Sequence, residues 1–200
     1  MADQQRQYTT PSRPSQPLTA SKPLPAGRPW GMKDVHTNYY EDWPNTGVTR
    51  YYDWTITRES CAPDGVNVTC LLVNGQYPGP MIEANWGDSV QVQVTNNIPD
   101  EGAAIHWHGI LQKYSQPFDG VPGVSHCPIA PGTSFTYRWT ANPFGTSWWH
   151  AHYSSQYASG IQGPMVIHGP LSVNYDIDLG PIQIADWYHE YVRGLSSRYY

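Results

Sequence analysis

Ala103-Ala-Ile-His-Trp-His108 and Thr146-Ser-Trp-Trp-His-Ala-His152 are two short runs of one design, each an apolar or aromatic stretch that closes on His-x-His. Aromatic and β-branched residues favour a pleated strand. On a strand, residues i and i+2 share a face and stand roughly 6.6 Å apart along the backbone. His106 and His108 therefore project one way and Trp107 the other, and His150 and His152 oppose Ala151 in the same manner. That spacing is too wide for relaxed ligation of one ion by one pair, but suits neighbouring ions about 3.5–4 Å apart. Four convergent imidazoles with no thiolate or carboxylate between them favour copper or zinc over calcium or magnesium. Half of the chain's 8 histidines fall in these two motifs, which sets them apart from histidines scattered over a surface.

The strand texture continues on both sides. Tyr52, Trp54 and Ile56 alternate with more polar neighbours, as do Val90, Val92 and Val94, and Phe135, Tyr137 and Trp139. The stretches Val66–Val73, Met165–Ile167 and Ile182–Trp187 add further strands. Asp64-Gly65, Pro78-Gly-Pro80, Asp119-Gly120 and Pro131-Gly132 supply the turns between them. Many short strands at this pitch predict an all-β antiparallel sandwich or barrel. The 9 Trp and 15 Tyr fit such a domain better than a helical bundle.

Residues 1–44 differ. They are rich in Pro, Ser, Gln and Arg and carry almost no aliphatic pattern, so they bury too little apolar surface to offset their ordering entropy. A disordered N-terminal tail is expected there, with the folded domain over 45–192 and the start of a linker over 193–200. Two hundred residues hold one domain with a core plus such a tail. The net charge of −5 gives no basic field, which argues against nucleic acid and anionic membrane as partners. No run approaches the ~20 apolar residues of a membrane-spanning helix. Met1-Ala-Asp-Gln-Gln-Arg lacks the apolar core of a secretory signal.

Three cysteines are present. Cys61 and Cys70 flank Ala62-Pro-Asp-Gly65 and could pair across a hairpin; as the register is not visible in sequence, two unpaired small hydrophobes are the alternative. Cys127 is then the odd one. Asn67-Val-Thr69 is a glycosylation sequon, consistent with secretion.

The words around the histidines occur in a telling order. Val73-Asn-Gly-Gln-Tyr-Pro-Gly-Pro80 is followed by Ala84-Asn-Trp-Gly-Asp88, Val94-Thr-Asn-Asn97 and His106-Trp-His-Gly109. Asp119-Gly-Val-Pro-Gly-Val124, Cys127-Pro-Ile-Ala-Pro-Gly132, Trp148-Trp-His-Ala-His152 and Gly160-Ile-Gln-Gly-Pro164 come after. This set closely resembles the N-terminal domain of the multicopper oxidases, and among them the ascomycete-type fungal laccases, over residues 38–192. Asn45-Thr-Gly-Val-Thr-Arg50 also looks like the opening segment of such a domain.

The resemblance implies a cupredoxin-like (plastocyanin-like) Greek-key β-sandwich and copper as cofactor. In these enzymes four His-x-His motifs hold a three-copper cluster between the first and last domains. His106 matches a ligand of the type 2 copper, His108 and His150 match ligands of one type 3 copper, and His152 matches a ligand of the other. Asp88 matches an acid thought to assist proton delivery to reduced oxygen; a turn-capping Asp before a strand is its plainer reading. The Cys127 equivalent is tied to the C-terminal domain in similar laccases. O2 and small phenolic substrates are the partners of the full-length enzymes, which act outside the cell. The His-Cys-His segment, the type 1 copper ligands and the other two His-x-His motifs have no counterpart here, and Ser125-His-Cys-Pro128 is not one. Four of eight cluster ligands are thus expected from this chain, which alone should not oxidise phenols. A copper-binding module without turnover, or a zinc-stabilised domain, are the competing expectations. His168 and His189 are expected to be structural, and His36 and His126 to face water. Trp107, Trp148 and Trp149 are expected as core or as walls of the cluster.

Overall fold

The computed structural model describes residues 29–173 and 176–191. Among the described residues, eight strands form two four-stranded sheets. The first has the order β2 (Val68–Val73), β1 (Thr49–Cys61), β4 (Ser89–Asn96), β6 (Ser134–Thr140). The second has the order β3 (Ile82–Asn85), β8 (Gln162–His168), β7 (Gly145–Ala151), β5 (Ile105–Trp107). This is the expected sandwich. It is not purely antiparallel, because β1 runs parallel to β4 and β3 parallel to β8. Both parallel pairs join strands distant in the chain, a long-range choice that hydrophobic alternation does not encode.

The core lies between the sheets. Alternation in β4 buries Val90, Val92 and Val94 and turns Ser89, Gln91 and Gln93 outward. Trp54, Trp86, Trp107, Trp149 and Tyr137 are the largest fully buried side chains. Trp54, on β1 of the facing sheet, packs against both histidine-bearing strands, its ring 4.4 Å from that of Trp149 and 5.9 Å from that of Trp107. Aromatic pairs at these centroid distances add to the burial of their area. The indoles thus fill the interior face of β5 and β7, and the imidazoles take the other face.

Two expectations need correction. Within the stretch assigned to a tail, residues 29–44 are packed: Trp30, Tyr39 and Trp43 lie against the core, and Asn142 donates its side-chain amide to the Tyr39 carbonyl at 2.9 Å. Three aromatics supply apolar area that the Pro- and Ser-rich composition concealed. Residues 1–28 of that tail, and the linker over 193–200, lie outside the described residues. The predicted strand at Ile182–Trp187 is not formed. Residues 181–188 lie in the neighbourhood of Ser147, Trp148 and Gln162 and join neither sheet. Ile182 and Ile184 are consequently exposed.

Cys61 and Cys70 form a disulfide with Cα atoms 5.8 Å apart. In the hairpin register Cys61 faces Val68 and Cys70 faces Glu59, so the bridge is diagonal. Cys127 is free and exposed. Among the described residues no helix is long and apolar enough to cross a membrane.

Candidate metal centre

β5 and β7 are adjacent antiparallel strands, and their register sets His106 directly opposite His150, with Trp107 opposite Trp149. The two His-x-His motifs therefore meet on one face. His108 and His152 lie one residue beyond the ends of their strands, where the backbone N–H of His108 bonds the Trp148 carbonyl and that of His152 the Ala104 carbonyl. Ring centroids of His106 stand 5.8, 5.4 and 5.5 Å from those of His108, His150 and His152. The structure brings together all four expected imidazoles.

Hydrogen bonding decides which ring nitrogens are open. His106 Nδ1 lies 2.8 Å from the Asp119 carbonyl oxygen, and His150 Nδ1 lies 3.0 Å from that of Ala151. A carbonyl oxygen only accepts, so each Nδ1 carries the proton and each Nε2 presents a lone pair. His150 Nε2 is 3.4 Å from His108 Nδ1. That is long for a hydrogen bond between nitrogens, which centres near 2.9–3.0 Å for common N–H donors. Two nitrogens each about 2.0–2.1 Å from a shared ion at a tetrahedral angle stand about 3.3–3.4 Å apart. Separation alone therefore favours a shared ion across the strands, not within one His-x-His. Ligand atoms of His106, His108 and His150 all lie within 4.8 Å of one another, while His152 stands outside that group.

The surroundings suit a neutral, metal-binding imidazole. Trp148 stacks on His150 with centroids 4.0 Å apart, the wall expected for it. Burial pushes His150 down to about 4; the Ala151 carbonyl works against this, and the three facing imidazoles work with it. At neutral pH this ring is unprotonated, the form a metal requires. The donors are nitrogens of imidazole alone, a set that fits copper.

Asp88 meets partners of another kind. It is fully buried, accepts from Thr46 Oγ1 at 2.6 Å, from Arg50 Nε at 2.7 Å and from the Asn85 backbone N–H at 3.0 Å. None of these partners is an imidazole. The Asn85 bond closes the turn that leads into β4, as a capping Asp does. Thr46 and Arg50 come from the Asn45–Arg50 segment, which is thereby fastened to that turn.

The carboxylate beside the imidazoles is that of Asp119, with Oδ1 at 3.2 Å from His106 Nδ1. Its motif was visible as a turn, but its approach to β5 depends on Gly120. This glycine has φ +85, and a Cβ there would lie 1.8 Å from the Ile105 carbonyl oxygen. The Asp-Gly pair was the only signal in the sequence for this contact.

The other histidines are accounted for. His168, the last residue of β8, pairs with Glu83 at 2.7 Å, and the half-exposed His189 pairs with Asp64 at 2.6 Å. His36 is exposed. His126 does not simply face water: it stacks on Phe135 at 5.1 Å, and its Nε2 lies 3.3 Å from the Tyr137 hydroxyl.

A sequence profile described as Multicopper oxidase matches residues 55–172. The chain belongs to the multicopper oxidase family. Oxidoreductase OpS5 of Beauveria bassiana is 55% identical over 160 residues, covering 80% of this chain and 27% of its own length. Laccase-2 of Botryotinia fuckeliana is 45% identical over 185 residues, covering 92% of this chain and 32% of its own length. The crystal structure of laccase from Botrytis aclada superposes with a TM-score of 0.82 at 44% identity, over 85% of this chain and 31% of that one. This multicopper oxidase chain therefore carries part of a copper oxidase, implies copper as cofactor, and spans less than a third of the length of these relatives.

Proposed function

We propose that this chain supplies half of the copper ligands of a laccase-type oxidase. His106 serves a type 2 copper, His108 and His150 one type 3 copper, and His152 the second. The observation that carries this reading is the 3.4 Å approach of His108 Nδ1 to His150 Nε2 across two strands, with the other nitrogen of His150 held by a carbonyl. Copper bound there supplies the one-electron steps by which O2 is reduced to water at the expense of small phenols. The chain's own residues orient the imidazoles, keep that of His150 unprotonated and, through Trp148, wall off one side. The remaining ligands and the substrate-oxidising copper belong, in this reading, to further cupredoxin domains. Asp88 is the acid assigned to proton delivery, through the residue pattern it shares with the family. Export from the cell, and glycosylation of the exposed Asn67, belong to the same reading.

Copper titration of the purified chain, with bound metal counted by mass spectrometry under native conditions, tests it. Copper should bind to the wild type and be lost in His108→Ala and His150→Ala, while His168→Gln, whose ring pairs with Glu83, binds normally. Undiminished uptake by both alanine variants would overturn the assignment.

A further inference from the structure

We infer that the cavity lined by β7, β8 and residues 181–188 is a binding site for a flat, uncharged aromatic ligand carrying a lactam or carboxamide group. The inference is independent of the copper-ligand reading above. The cavity has a volume of about 510 Å³, within the roughly 300–1,000 Å³ of small-molecule sites. Its aromatic rings come from separate parts of the chain: Trp148 on β7, Tyr157 in the short 3-10 turn Gln156–Ser159, and Tyr188. Such rings favour a flat aromatic guest. His150 covers one side of the Trp148 ring, with centroids 4.0 Å apart, so the imidazole cluster and the cavity share this indole. Among the described residues of the lining Asp186 alone is charged, which disfavours an anion.

Gln183 defines the polar part of the ligand. It lines the cavity, and its side-chain oxygen and nitrogen are both shielded from solvent with no hydrogen-bond partner among the described residues. A buried donor or acceptor left unpaired is costly, and folded proteins keep few of them. The amide offers a donor and an acceptor side by side. Its complement presents an acceptor and a donor at the same spacing, as a lactam or a primary carboxamide does. A carboxylate has no donor to give.

The segment that completes the cavity is fastened from outside it. Directly after Asp186, the Trp187 ring packs 4.5 Å from that of Tyr77. The Tyr77 hydroxyl accepts from Gln162 Nε2 at 3.2 Å, and Gln162 is itself part of the lining. Farther on, His189 pairs with Asp64 at 2.6 Å, and the Tyr191 hydroxyl donates to Glu101 Oε1 at 2.7 Å. The stretch that carries Gln183 and Tyr188 is thereby tied to the domain by contacts that no ligand has to make. A guest then loses little free energy in ordering the site.

Carbostyril, a bicyclic aromatic lactam, is the probe, titrated into the full 200-residue chain free of metal and followed by saturation-transfer nuclear magnetic resonance. Saturable binding is expected. N-methylcarbostyril keeps the rings and the carbonyl but loses the donor, and naphthoate is an anion. Each should bind about tenfold more weakly, the effect of one well-made hydrogen bond. Gln183→Leu removes the amide at similar volume and should weaken carbostyril about tenfold as well. Because it removes an unpaired polar group, it should leave the melting temperature no lower than that of wild type. Tyr188→Ala takes away an aromatic wall and should weaken carbostyril and its N-methyl analogue alike. Absence of saturable carbostyril binding up to about 10 mM overturns the inference. So does carbostyril affinity unchanged in Gln183→Leu, or equal affinity for carbostyril and its N-methyl analogue. Failure of copper uptake leaves these results untouched, since the probe is read on the metal-free chain.

Discussion

Gly79→Ala should unsettle the histidine-bearing strand from a distance. Gly79 lies in the Pro78-Gly-Pro80 turn, and a Cβ there would stand 2.4 Å from Cη2 and 2.5 Å from Cζ2 of Trp149. Its φ is not in the left-handed region, so alanine meets no backbone strain and the cost is one of packing alone. Trp149 has nowhere to go. Its indole N–H is bonded to the Pro80 carbonyl at 2.9 Å, Trp54 covers one side, and Gly163 already lies so close that a Cβ on it would be 2.6 Å from the same ring. Overpacking of a dense core costs about 1–3 kcal/mol. If the ring tilts far enough to lose its hydrogen bond, an unsatisfied buried donor adds about 1–3 kcal/mol. A loss of about 2–5 kcal/mol is therefore expected, measured from the midpoint of urea unfolding followed by tryptophan fluorescence. Gly132→Ala is the control: nothing lies within 4 Å of its Cβ, but its φ is +72, so only the left-handed backbone term of about 1–2 kcal/mol applies. A Gly79→Ala midpoint matching that of wild type would refute the claim that this contact leaves no room.

Replacing Cys61 and Cys70 together by Ser opens a loop with a sequence separation of 9, and the chain-entropy relation puts the loss at about 2.5–3 kcal/mol, again read by urea unfolding. Asp88→Ala leaves Arg50, whose side chain is only 20% exposed, without its partner, and should cost about 3 kcal/mol; a loss below about 1 kcal/mol would mean that the Thr46–Asp88–Arg50 contact does not secure the segment before β1. Tyrosinate absorbance should show phenols that titrate late. Burial raises Tyr137, and burial together with the Glu101 carboxylate pushes Tyr191 up to about 12. In the unfolded chain both lose their protons near pH 10, so the stability they contribute is whole below that pH and declines as pH climbs toward about 12. Stability that stays flat across that window would contradict the tyrosine environments.

Strands that alternate were legible, and so were the apolar runs of β2 and β8, whereas the short β3 was missed. Val90, Val92 and Val94 announce β4 because one face is buried and the other is not. β3, with burial at Ile82, Ala84 and Asn85 over only four residues, offers no alternation to read. Ile182 and Ile184 alternate well but are exposed, since period two reports a shared side of the chain and says nothing of what, if anything, covers it. The same limit hid the parallel pairing of β1 with β4 and the diagonal geometry of the Cys61–Cys70 bridge.

The centre divides along a similar line. Spacing within each motif put two imidazoles on one face, and that much the structure repeats. Which nitrogens approach one another is decided by the register that sets His106 against His150, a relation between strands about forty residues apart that no local spacing carries. Which groups Asp88 and Asp119 meet turns on the same kind of information. Each stands next to a glycine of positive φ, Gly87 and Gly120. Asp88 bonds Thr46, Arg50 and its own turn, and Asp119 is brought to His106 by a glycine that lets two backbones touch. An acid's place in a sequence word does not say which side chain it will meet; the close approach permitted at Gly120 does. Gly120 is thus as much a part of this histidine cluster as any side chain within it.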